Sequence, residues 1–477
     1  MTSGSPYSPV TVDVVQQLRQ IVGNNYVLFD DPERLEPFSH DEIPDHRWAH
    51  SPEAVVRPAD AGQIAAIMTL ANRLHIPVTP RGAGSGLSGG AVPLHGGIVL
   101  LTDRMNRILE IDTQNMMVVV EPGVVTNDVN LALREHGLFY AGYPMSLETC
   151  FIGGNVAENA GGAKAVKYGV TARYVVGLEM VTPTGRIVQL GGKLVKDVTG
   201  YNLVQLLVGS EGTLGIFTKI ILKLLPLPRI SVDLLCLFPT VAQAIEAVPA
   251  IMTGGGVIPT AIEFMDAASI RAACDYLNES LPYEQAQAML LITVDGANDE
   301  QVQNEYEAIG EQCLSAGAIE VYVADNSTNS ERIWKVRRNI GEAFSIATSQ
   351  QSGEDLVVPI AAIPALVEGM ERIGSKYDVL IPTFGHAGDG NMHTRVLMNP
   401  AWTPARWEQT LPDILHELYE LTARLGGKIS GEHGIGHKRK AYLGTFLSPD
   451  AIELMRSIKR AWDPNNILNP GKIFDLS

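Results

Sequence analysis

The first half of the chain alternates short apolar runs with segments of glycine, proline and polar residues. Short runs rich in apolar and β-branched residues between turn residues are typical of strands, and apolar positions at helical spacing indicate helices. On this basis the sequence predicts strands at 54–57, 76–79, 98–101, 117–121, 175–182, 187–190 and 219–225. It predicts helices at 61–73 and 126–136. Pro226 and Pro228 then mark a domain boundary.

The second half alternates strands and helices. The predicted strands are 232–238, 261–265, 290–294 and 319–323, and the predicted helices are 241–252 and 305–315. Elements in this order suit helices packed on one face of an antiparallel sheet. We expect an α+β fold with at least two domains, because single cores stop growing near about 250 to 300 residues and this chain has 477.

Two histidine segments, 385–393 and 431–437, carry the strongest chemical signal. They hold four of the eleven histidines within glycine-dense backbone, which predicts that the side chains are displayed from tight turns. His386, His393 and Glu432 are the candidate metal ligands, since two imidazoles and one carboxylate suit zinc, ferrous iron or manganese. His433 is then available as a proton acceptor. The alternative is that these are solvated histidines of surface loops.

A glycine-rich loop at 81–90 follows the strand predicted at 76–79. Its five glycines allow backbone amides to approach a pyrophosphate, with Ser85 and Ser88 as hydroxyl donors and Arg81 as a nearby charge. Glycines 84, 86 and 89 match the dinucleotide fingerprint, but that fingerprint opens a helix, whereas a strand follows here. An ordinary glycine-rich turn is the alternative.

A second glycine cluster spans 153–162 and is followed by Tyr168-Gly169. The two loops are about 70 residues apart in the sequence, and each could bring backbone amides close to a phosphate group. Together they indicate one extended ligand that both loops contact. The second cluster therefore strengthens the interpretation of the first as a binding loop.

Composition restricts the compartment and the partners. The formal net charge of −17 disfavours nucleic acid and anionic membrane surfaces. The four cysteines are far apart, so we expect no iron-sulfur cluster in this chain and no disulfide framework. The N-terminus lacks a signal-peptide pattern, and no apolar run reaches the length of a membrane span. We expect a soluble, cytoplasmic protein; peripheral docking at a membrane through a partner stays open, as does oligomerisation.

Several segments in combination resemble one family. They are the Arg81 loop, Gly153-Gly154-Asn155, Gly161-Gly162, Gly209-Ser210-Glu211-Gly212-Thr213-Leu214-Gly215, both histidine segments and Asn469-Pro470-Gly471-Lys472. The chain thereby resembles the FAD-linked D-2-hydroxy-acid dehydrogenases of the glycolate oxidase and bacterial D-lactate dehydrogenase type, in the vanillyl-alcohol-oxidase and p-cresol-methylhydroxylase (PCMH) superfamily. The resemblance implies a PCMH-type FAD-binding domain of two subdomains at 1–226. It also implies an antiparallel-sheet substrate (cap) domain with the metal site at 227–440, and a segment at 441–477 that returns to the FAD domain.

The same resemblance implies which residues bind FAD. They are Arg81, Gly82, Ala83, Gly84, Ser85, Gly86, Leu87, Ser88, Pro144, Gly153, Gly154, Asn155, Ala160, Gly161, Gly162, Tyr168, Glu211, Gly212, Ile216 and Asn469. Some relatives attach the flavin covalently through a histidine in the first loop. This loop has no histidine, so we expect non-covalent FAD.

For the substrate, the resemblance implies that Arg337, three residues after Trp334, grips the carboxylate. Relatives that act on 2-hydroxyglutarate have a lysine where this chain has Gly353, and an asparagine where it has Arg395. The missing lysine favours a small monocarboxylate, glycolate or D-lactate, although Arg395 could replace it from another direction. A D-2-hydroxyglutarate dehydrogenase is therefore the alternative.

The implied reaction is hydride transfer from the 2-hydroxy acid to FAD, with a divalent metal, zinc or alternatively iron or manganese, polarising the hydroxyl. His433 takes the proton, and His437 is a candidate partner for a metal ligand. The electrons must pass to an external acceptor, which the resemblance gives as an iron-sulfur subunit, an electron-transferring flavoprotein or a quinone system. Two other functions stay open: a non-catalytic flavin subunit, and a flavoenzyme that rearranges a carbon-oxygen bond as in ether-lipid synthesis.

Overall fold

The computed structural model describes residues 6–254, 256–324, 326–348 and 350–476. The chain divides into two compact units. Unit 1 comprises Met1–Ala160, Val170–Leu227 and His433–Ser477, and unit 2 comprises Gly161–Gly169 and Pro228–Glu432. The domain ranges expected from the sequence stay a prediction. Each unit is described by itself below.

The secondary structure of the described residues is numbered in chain order. The strands β1 to β18 are Val27–Phe29, Ala54–Val56, Val78–Arg81, Ile98–Leu101, Ile108–Asp112, Met117–Val120, Leu138–Phe139, Val175–Val181, Ile187–Gly191, Ile216–Lys223, Leu225–Pro226, Ile230–Phe238, Ala261–Asp266, Ala288–Gly296, Glu320–Ala324, Gln351–Val357, Thr383–His386 and Asn391–Leu397. The α-helices α1 to α16 are Val12–Val22, Pro32–Leu35, Ala61–Leu74, Thr126–Arg134, Ile152–Glu158, Ala165–Tyr168, Leu203–Leu207, Val241–Gly254, Ala267–Leu277, Asp299–Ser315, Ser327–Arg338, Ile340–Ala347, Ile363–Tyr377, Pro404–Arg424, Leu443–Phe446 and Pro449–Trp462.

Unit 1 contains two sheets that match its glycine-punctuated sequence. One is mixed, in the order β1-β2-β4-β3, with β2, β4 and β3 parallel to one another. The other is antiparallel, in the order β5-β6-β10-β8-β9. The loop at 81–90 leaves the end of β3, and the chain reaches β4 without an intervening helix in the described residues. The prediction that this loop does not open a helix is confirmed.

The core of unit 1 is built from both ends of the chain. Helices α1 and α3 bury their apolar faces against β2, β3 and β4, and Ile467 and Leu468 from the C-terminal segment are fully buried in the same cluster. Val78 N donates to Ile467 O at 2.7 Å, and Asn469 N donates to Val78 O at 2.7 Å. The C-terminal segment therefore completes the edge of the sheet that carries the glycine loop.

Unit 2 is built on one seven-stranded sheet in the order β15-β12-β14-β13-β17-β18-β16. Every pairing in it is antiparallel, as predicted. The expectation that the helices cover only one face is wrong. Leu235 and Leu237 of β12 pack against a cluster from α9, α11 and α12, whereas Cys236 between them meets Cys313 of α10. Because alternate strand residues face opposite sides, helices cover both faces.

Candidate active site

Two of the candidate metal ligands lie on a β-hairpin. His386 is the last residue of β17 and His393 is the third residue of β18. The expectation that tight turns display both imidazoles is therefore wrong: the glycines serve the hairpin instead. A Cβ at Gly385 would lie 2.5 Å from Asn391 O, and Gly390 has φ +85°, so glycine permits close strand approach at the first position and the turn at the second.

The two imidazoles and Glu432 converge within unit 2. His386 Nε2 lies 3.5 Å from Glu432 Oε1, and His393 Nε2 lies 3.2 Å from the same oxygen. One ligand atom from each of the three residues falls within 4.8 Å of the others, and both histidines are buried. His386 Nε2 is buried and makes no hydrogen bond within the described part of the chain. Two imidazole nitrogens and one carboxylate oxygen at these separations fit a divalent transition metal.

Two carboxylates orient the imidazoles by contacting their Nδ1 atoms, on the side of each ring away from Glu432. Glu263 Oε1 lies 2.6 Å from His386 Nδ1, and Asp355 Oδ1 lies 3.4 Å from His393 Nδ1. A carboxylate on Nδ1 fixes the tautomer that leaves Nε2 for a metal and increases its basicity. Asp355 Oδ2 also accepts hydrogen bonds from Ser430 Oγ at 2.6 Å and from the Glu432 amide at 3.0 Å, so it holds the backbone of the third ligand.

Arg337 shares Glu263 with His386. Its Nη2 lies 2.6 Å from Glu263 Oε2, and its guanidinium stacks over the ring of Phe384. Burial raises the pKa of the Glu263 carboxyl, but the charges of Arg337 and His386 outweigh that effect, and the net pKa is below the ordinary value. Among the residues that the structure describes, Arg337 Nε is buried without an acceptor, which leaves a donor for a carboxylate. Glu263 thus links a metal-ligand candidate to the candidate carboxylate clamp.

Replacement of Glu263 by glutamine should weaken metal binding about 10- to 100-fold, because outer-shell partners of ligating histidines contribute that much. It should also raise KM for the substrate, since Arg337 loses its fixed partner. Metal titration of the purified variant and steady-state kinetics measure the two effects. Glu246→Gln, at an exposed position of α8, is the matched control. Unchanged metal affinity in the Glu263 variant would contradict this role.

In unit 1 the first glycine loop has donors for an anion. Within the described part of the chain, the amides of 82–88 donate no hydrogen bond to a protein acceptor, whereas Gly89 N donates to Asp41 Oδ2 at 2.7 Å. The hydroxyl of Ser88 is buried and has no hydrogen-bond partner among the same described residues. A run of backbone amides with a hydroxyl is suited to a pyrophosphate. The loop therefore fits the FAD expected from the sequence.

Arg81 supports this loop from within. Its Nη1 donates to His40 O at 2.7 Å and its Nη2 to Pro37 O at 3.3 Å. Gly84 has φ +79°, and a Cβ there would lie 2.2 Å from Arg81 Nη2, so the loop folds directly over the guanidinium. These contacts explain the shape of the loop; a contact of Arg81 with pyrophosphate stays a prediction.

Asn469 fastens the C-terminal segment to the same region of unit 1. Its Nδ2 donates to Gly90 O at 3.0 Å and to Glu211 O at 2.8 Å. It thus joins the end of the first loop to the Glu211-Gly212 turn that precedes Ile216 at the start of β10. The structure brings these predicted residues together within one unit.

The second glycine cluster is divided between the units. Gly153, Gly154 and Asn155 lie in α5 and Ala160 follows it in unit 1, where Pro144 also lies; Gly161, Gly162 and Tyr168 lie in unit 2. Asn155 Nδ2 donates to Thr126 Oγ1 at 2.6 Å, and Tyr168 donates its hydroxyl hydrogen to Asp295 Oδ1 at 2.8 Å. Their roles toward FAD stay a prediction.

His433 begins a segment of unit 1 whose backbone is bound by Glu211 and lies beside Glu158. Glu211 accepts from the amides of Ile435 at 2.8 Å and Gly436 at 2.6 Å. Gly434 has φ +86°, and a Cβ there would lie 2.2 Å from Glu158 Oε2, so only glycine fits beside that carboxylate. Burial raises the pKa of Glu158 well above its ordinary value, with the nearby Glu211 as a further cause. The backbone after His433 is therefore tightly fixed.

His437 lies in this segment too. Its ring is edge-on to Trp48, with 5.2 Å between ring centroids, and it also lies near His50. Burial lowers the pKa of His437 to about 4. The ring thus packs in unit 1, whereas the three metal-ligand candidates belong to unit 2; a partnership with a metal ligand stays a prediction.

Sequence reasoning missed Glu263, Asp355 and Glu158 as site residues. Glu263 had a detectable signal, because it is the one charged residue in the apolar segment Ala261–Met265, and a buried carboxylate needs a partner. Asp355 and Glu158 gave no comparable signal, since the groups that they contact lie far away in the sequence.

No helix in the described residues combines the length and the apolar character needed to cross a membrane.

Residues 227–473 match the family described as FAD linked oxidases, C-terminal domain, and residues 52–191 match the family described as FAD binding domain.

Curated relatives match the chain over nearly its whole length. It is 41% identical to glycolate oxidase subunit GlcD of Bacillus subtilis, with 98% of this chain and 97% of the relative covered. It is 36% identical to a D-lactate dehydrogenase of Anaerostipes hadrus, with 98% of both covered. The structure of p-cresol methylhydroxylase with substrate bound superposes with a TM-score of 0.78 at 19% identity, covering 97% of this chain and 96% of that one. That likeness concerns the fold alone and confirms the predicted α+β, PCMH-type architecture.

Proposed function

The chain belongs to the FAD-linked oxidases and is an FAD-dependent oxidoreductase acting on hydroxy acids, and we propose that its substrate is a small D-2-hydroxy acid, glycolate or D-lactate. The observation that carries this proposal is the convergence of His386, His393 and Glu432 beside the Glu263–Arg337 pair. In this proposal the first three residues would hold a metal that binds the hydroxyl, and the Arg337 guanidinium would bind the carboxylate. Relatives named for glycolate and D-lactate support the choice, and D-2-hydroxyglutarate is the alternative.

We infer that each group of the site has a separate task. When bound, FAD supplies the oxidant that accepts the C2 hydride, and a divalent metal lowers the pKa of the hydroxyl. His386, His393 and Glu432 would hold that metal, and Arg337 would orient the carboxylate through its unpartnered Nε. His433 would accept the hydroxyl proton. Histidine is the side chain that most often serves as a general base in enzymes.

The electrons then need an acceptor outside this chain. The Bacillus subtilis relative is named as a subunit of glycolate oxidase. We propose that a partner, an iron-sulfur subunit, an electron-transferring flavoprotein or a quinone system, receives them. The first glycine loop leads into a strand rather than opening the helix of a nicotinamide fingerprint, so NAD is not the proposed acceptor.

D-Lactate and glycolate should bleach the flavin absorption of the purified protein under anaerobic conditions. L-Lactate should be poor, because the opposite configuration at C2 turns the hydrogen away when the carboxylate and hydroxyl are both held. Turnover should be supported by dichlorophenolindophenol as electron acceptor, and NAD and NADP should give none. A colourless preparation that FAD does not reconstitute, or robust NAD reduction by the chain alone, would contradict the proposal.

A further inference from the structure

The C-terminal segment of unit 1 carries a buried lysine that the proposed reaction does not use. Lys472 is 2% exposed, and it ends the segment 469–472, in which only Asn469 has a predicted role so far. Its ammonium donates to Val92 O and, at 3.2 Å, to Asn469 Oδ1. An ammonium has three donors and a full positive charge, whereas both of these acceptors are neutral. Within the described ranges, Lys472 therefore makes no ion pair.

A second buried lysine of unit 1 shows how a buried ammonium is usually balanced. Lys459 is 4% exposed, and its Nζ donates to Asp463 Oδ2 at 2.6 Å. The same ammonium also donates to Thr213 O at 2.8 Å and to Leu468 O at 2.7 Å, so all three donors are used. Burial of a charge is costly unless the charge is paired. The charge of Lys472 is thus the one that still needs an anion.

Lys472 lies at the end of the first glycine loop. Val92, which accepts from Lys472, is two residues beyond the loop at 81–90. Asn469, the other acceptor, donates in turn to Gly90 O at 3.0 Å. The ammonium is therefore tied to the same loop whose amides at 82–88 are suited to a pyrophosphate. In a buried region a charge acts on a neighbouring anion more strongly than it does in water.

The groups around Lys472 leave its charge only partly balanced. The titratable and charged groups that face it are Asp41, Glu158, Glu211, Lys440, His50, His95 and His437. Burial lowers the pKa of Lys472 to about 7; the three carboxylates oppose this effect, and the charge of Lys440 adds to it. Burial also lowers the pKa of each of the three histidines, so these rings are mostly neutral at neutral pH.

We propose that Lys472 is a further determinant of FAD binding: its buried ammonium supplies the positive charge that balances the pyrophosphate at the loop 82–88, and Lys472 Nζ takes up a proton from solvent when FAD binds above neutral pH. The inference deepens the proposed function, because it concerns the cofactor of the same reaction. It rests on FAD binding and is independent of which hydroxy acid is the substrate.

The affinity for FAD should consequently depend on pH in one direction. Below about pH 7, Lys472 is already protonated in the FAD-free protein, so binding takes up no proton there. Above that pH the lysine of the free protein is neutral, and the negative charges of the pyrophosphate raise its pKa, so binding must protonate it. The Kd for FAD should therefore rise with pH by up to about tenfold per pH unit, the limit for one proton.

The test titrates the full-length, FAD-free protein with FAD from about pH 6 to about pH 9. Quenching of flavin fluorescence gives the Kd, and calorimetry in two buffers of different ionisation enthalpy counts the protons taken up. Lys472→Met removes the charge and keeps the apolar stem. It should weaken FAD binding about 10- to 100-fold at the acid end, the range for a hydrogen bond to a charged group, and abolish both the pH dependence and the proton uptake.

A second variant tests the charge of Lys472 without replacing it. Lys440→Met removes a positive charge that lowers the pKa of Lys472. The rise in Kd should then begin at a higher pH, and the proton uptake should be kept. Lys219→Met is the matched control for loss of one positive charge in unit 1, because its side chain is 46% exposed and pairs with Glu179 instead. It should change neither the pH profile nor the proton count.

Three outcomes would overturn the role of Lys472. They are an FAD affinity of the unmodified protein that is independent of pH and takes up no proton, a pH dependence that Lys472→Met retains, and a pH profile that Lys440→Met leaves in place. A lysine with only a structural role would give the first of these. Flavin reduction by D-lactate and glycolate in the same preparations tests the proposed function separately, because its failure would leave the FAD affinity and the proton count unchanged.

Discussion

Replacement of His393 by alanine should abolish reduction of the flavin by the hydroxy acid while FAD stays bound, and removal of the metal by a chelator should do the same. The variant loses one of two imidazoles that face Glu432 Oε1, at 3.2 and 3.5 Å. Lewis-acid polarisation of the hydroxyl contributes several kcal/mol, so the rate should fall by about 10³ or more. Most predicted FAD residues lie in unit 1 and the ligands in unit 2, so flavin content should be unaffected.

Elemental analysis measures the metal content of the variant, and anaerobic flavin bleaching measures the rate of flavin reduction by the hydroxy acid. His416→Ala is the matched control, because its side chain is 59% exposed on α14 in the same unit. An active preparation without stoichiometric metal would show that the two histidines have another role, and a His393 variant that loses FAD together with metal would show that the effect is structural.

Replacement of His433 by alanine should slow flavin reduction by about two to four orders of magnitude, the usual contribution of a general base. Metal and FAD should both be retained, because His433 is not among the three ligand candidates and the segment that follows it is held by Glu211 through the amides of Ile435 and Gly436. Stopped-flow measurement of the reductive half-reaction, with metal and flavin content determined on the same sample, tests this.

His136→Ala, at an exposed position after α4 in unit 1, controls for loss of an imidazole. Exogenous imidazole should restore part of the rate of the His433 variant if only a proton acceptor is missing. Near-normal flavin reduction without any addition would remove His433 from the mechanism.

The local sequence pattern predicts most of the strands, because buried strands consist of short runs of apolar residues. The strand predicted at 98–101 is observed as Ile98–Leu101, and the helix predicted at 61–73 as Ala61–Leu74. The glycines of segment 385–393 predict turns, whereas both histidines lie in strands of a hairpin. Local pattern does not reveal which strands become neighbours: β17 pairs with β13 and β18 pairs with β16, and both partners lie much earlier in the sequence.

The candidate site shows the same division between local and distant information. His386, His393 and Glu432 were recognisable because ligand chemistry is a property of residue type. Their orientation was not, since it depends on Glu263, which precedes His386 by 123 residues, and on Asp355, which precedes the Glu432 amide by 77.

Because the chain leaves unit 1 after Leu227 and returns to it at His433, its units are not completed in the order in which they begin. At about 5–20 residues per second, the ribosome needs roughly 10 to 40 s to make residues 228–432. During that time unit 1 lacks Ile467 and Leu468, which are fully buried in its core. The ribosome therefore completes the sequence of unit 2 before that of unit 1. Until then, nascent unit 1 exposes the apolar surface that Ile467 and Leu468 cover in the folded protein. A fragment that stops at residue 227 should consequently aggregate, and a chaperone should bind the nascent chain during this interval.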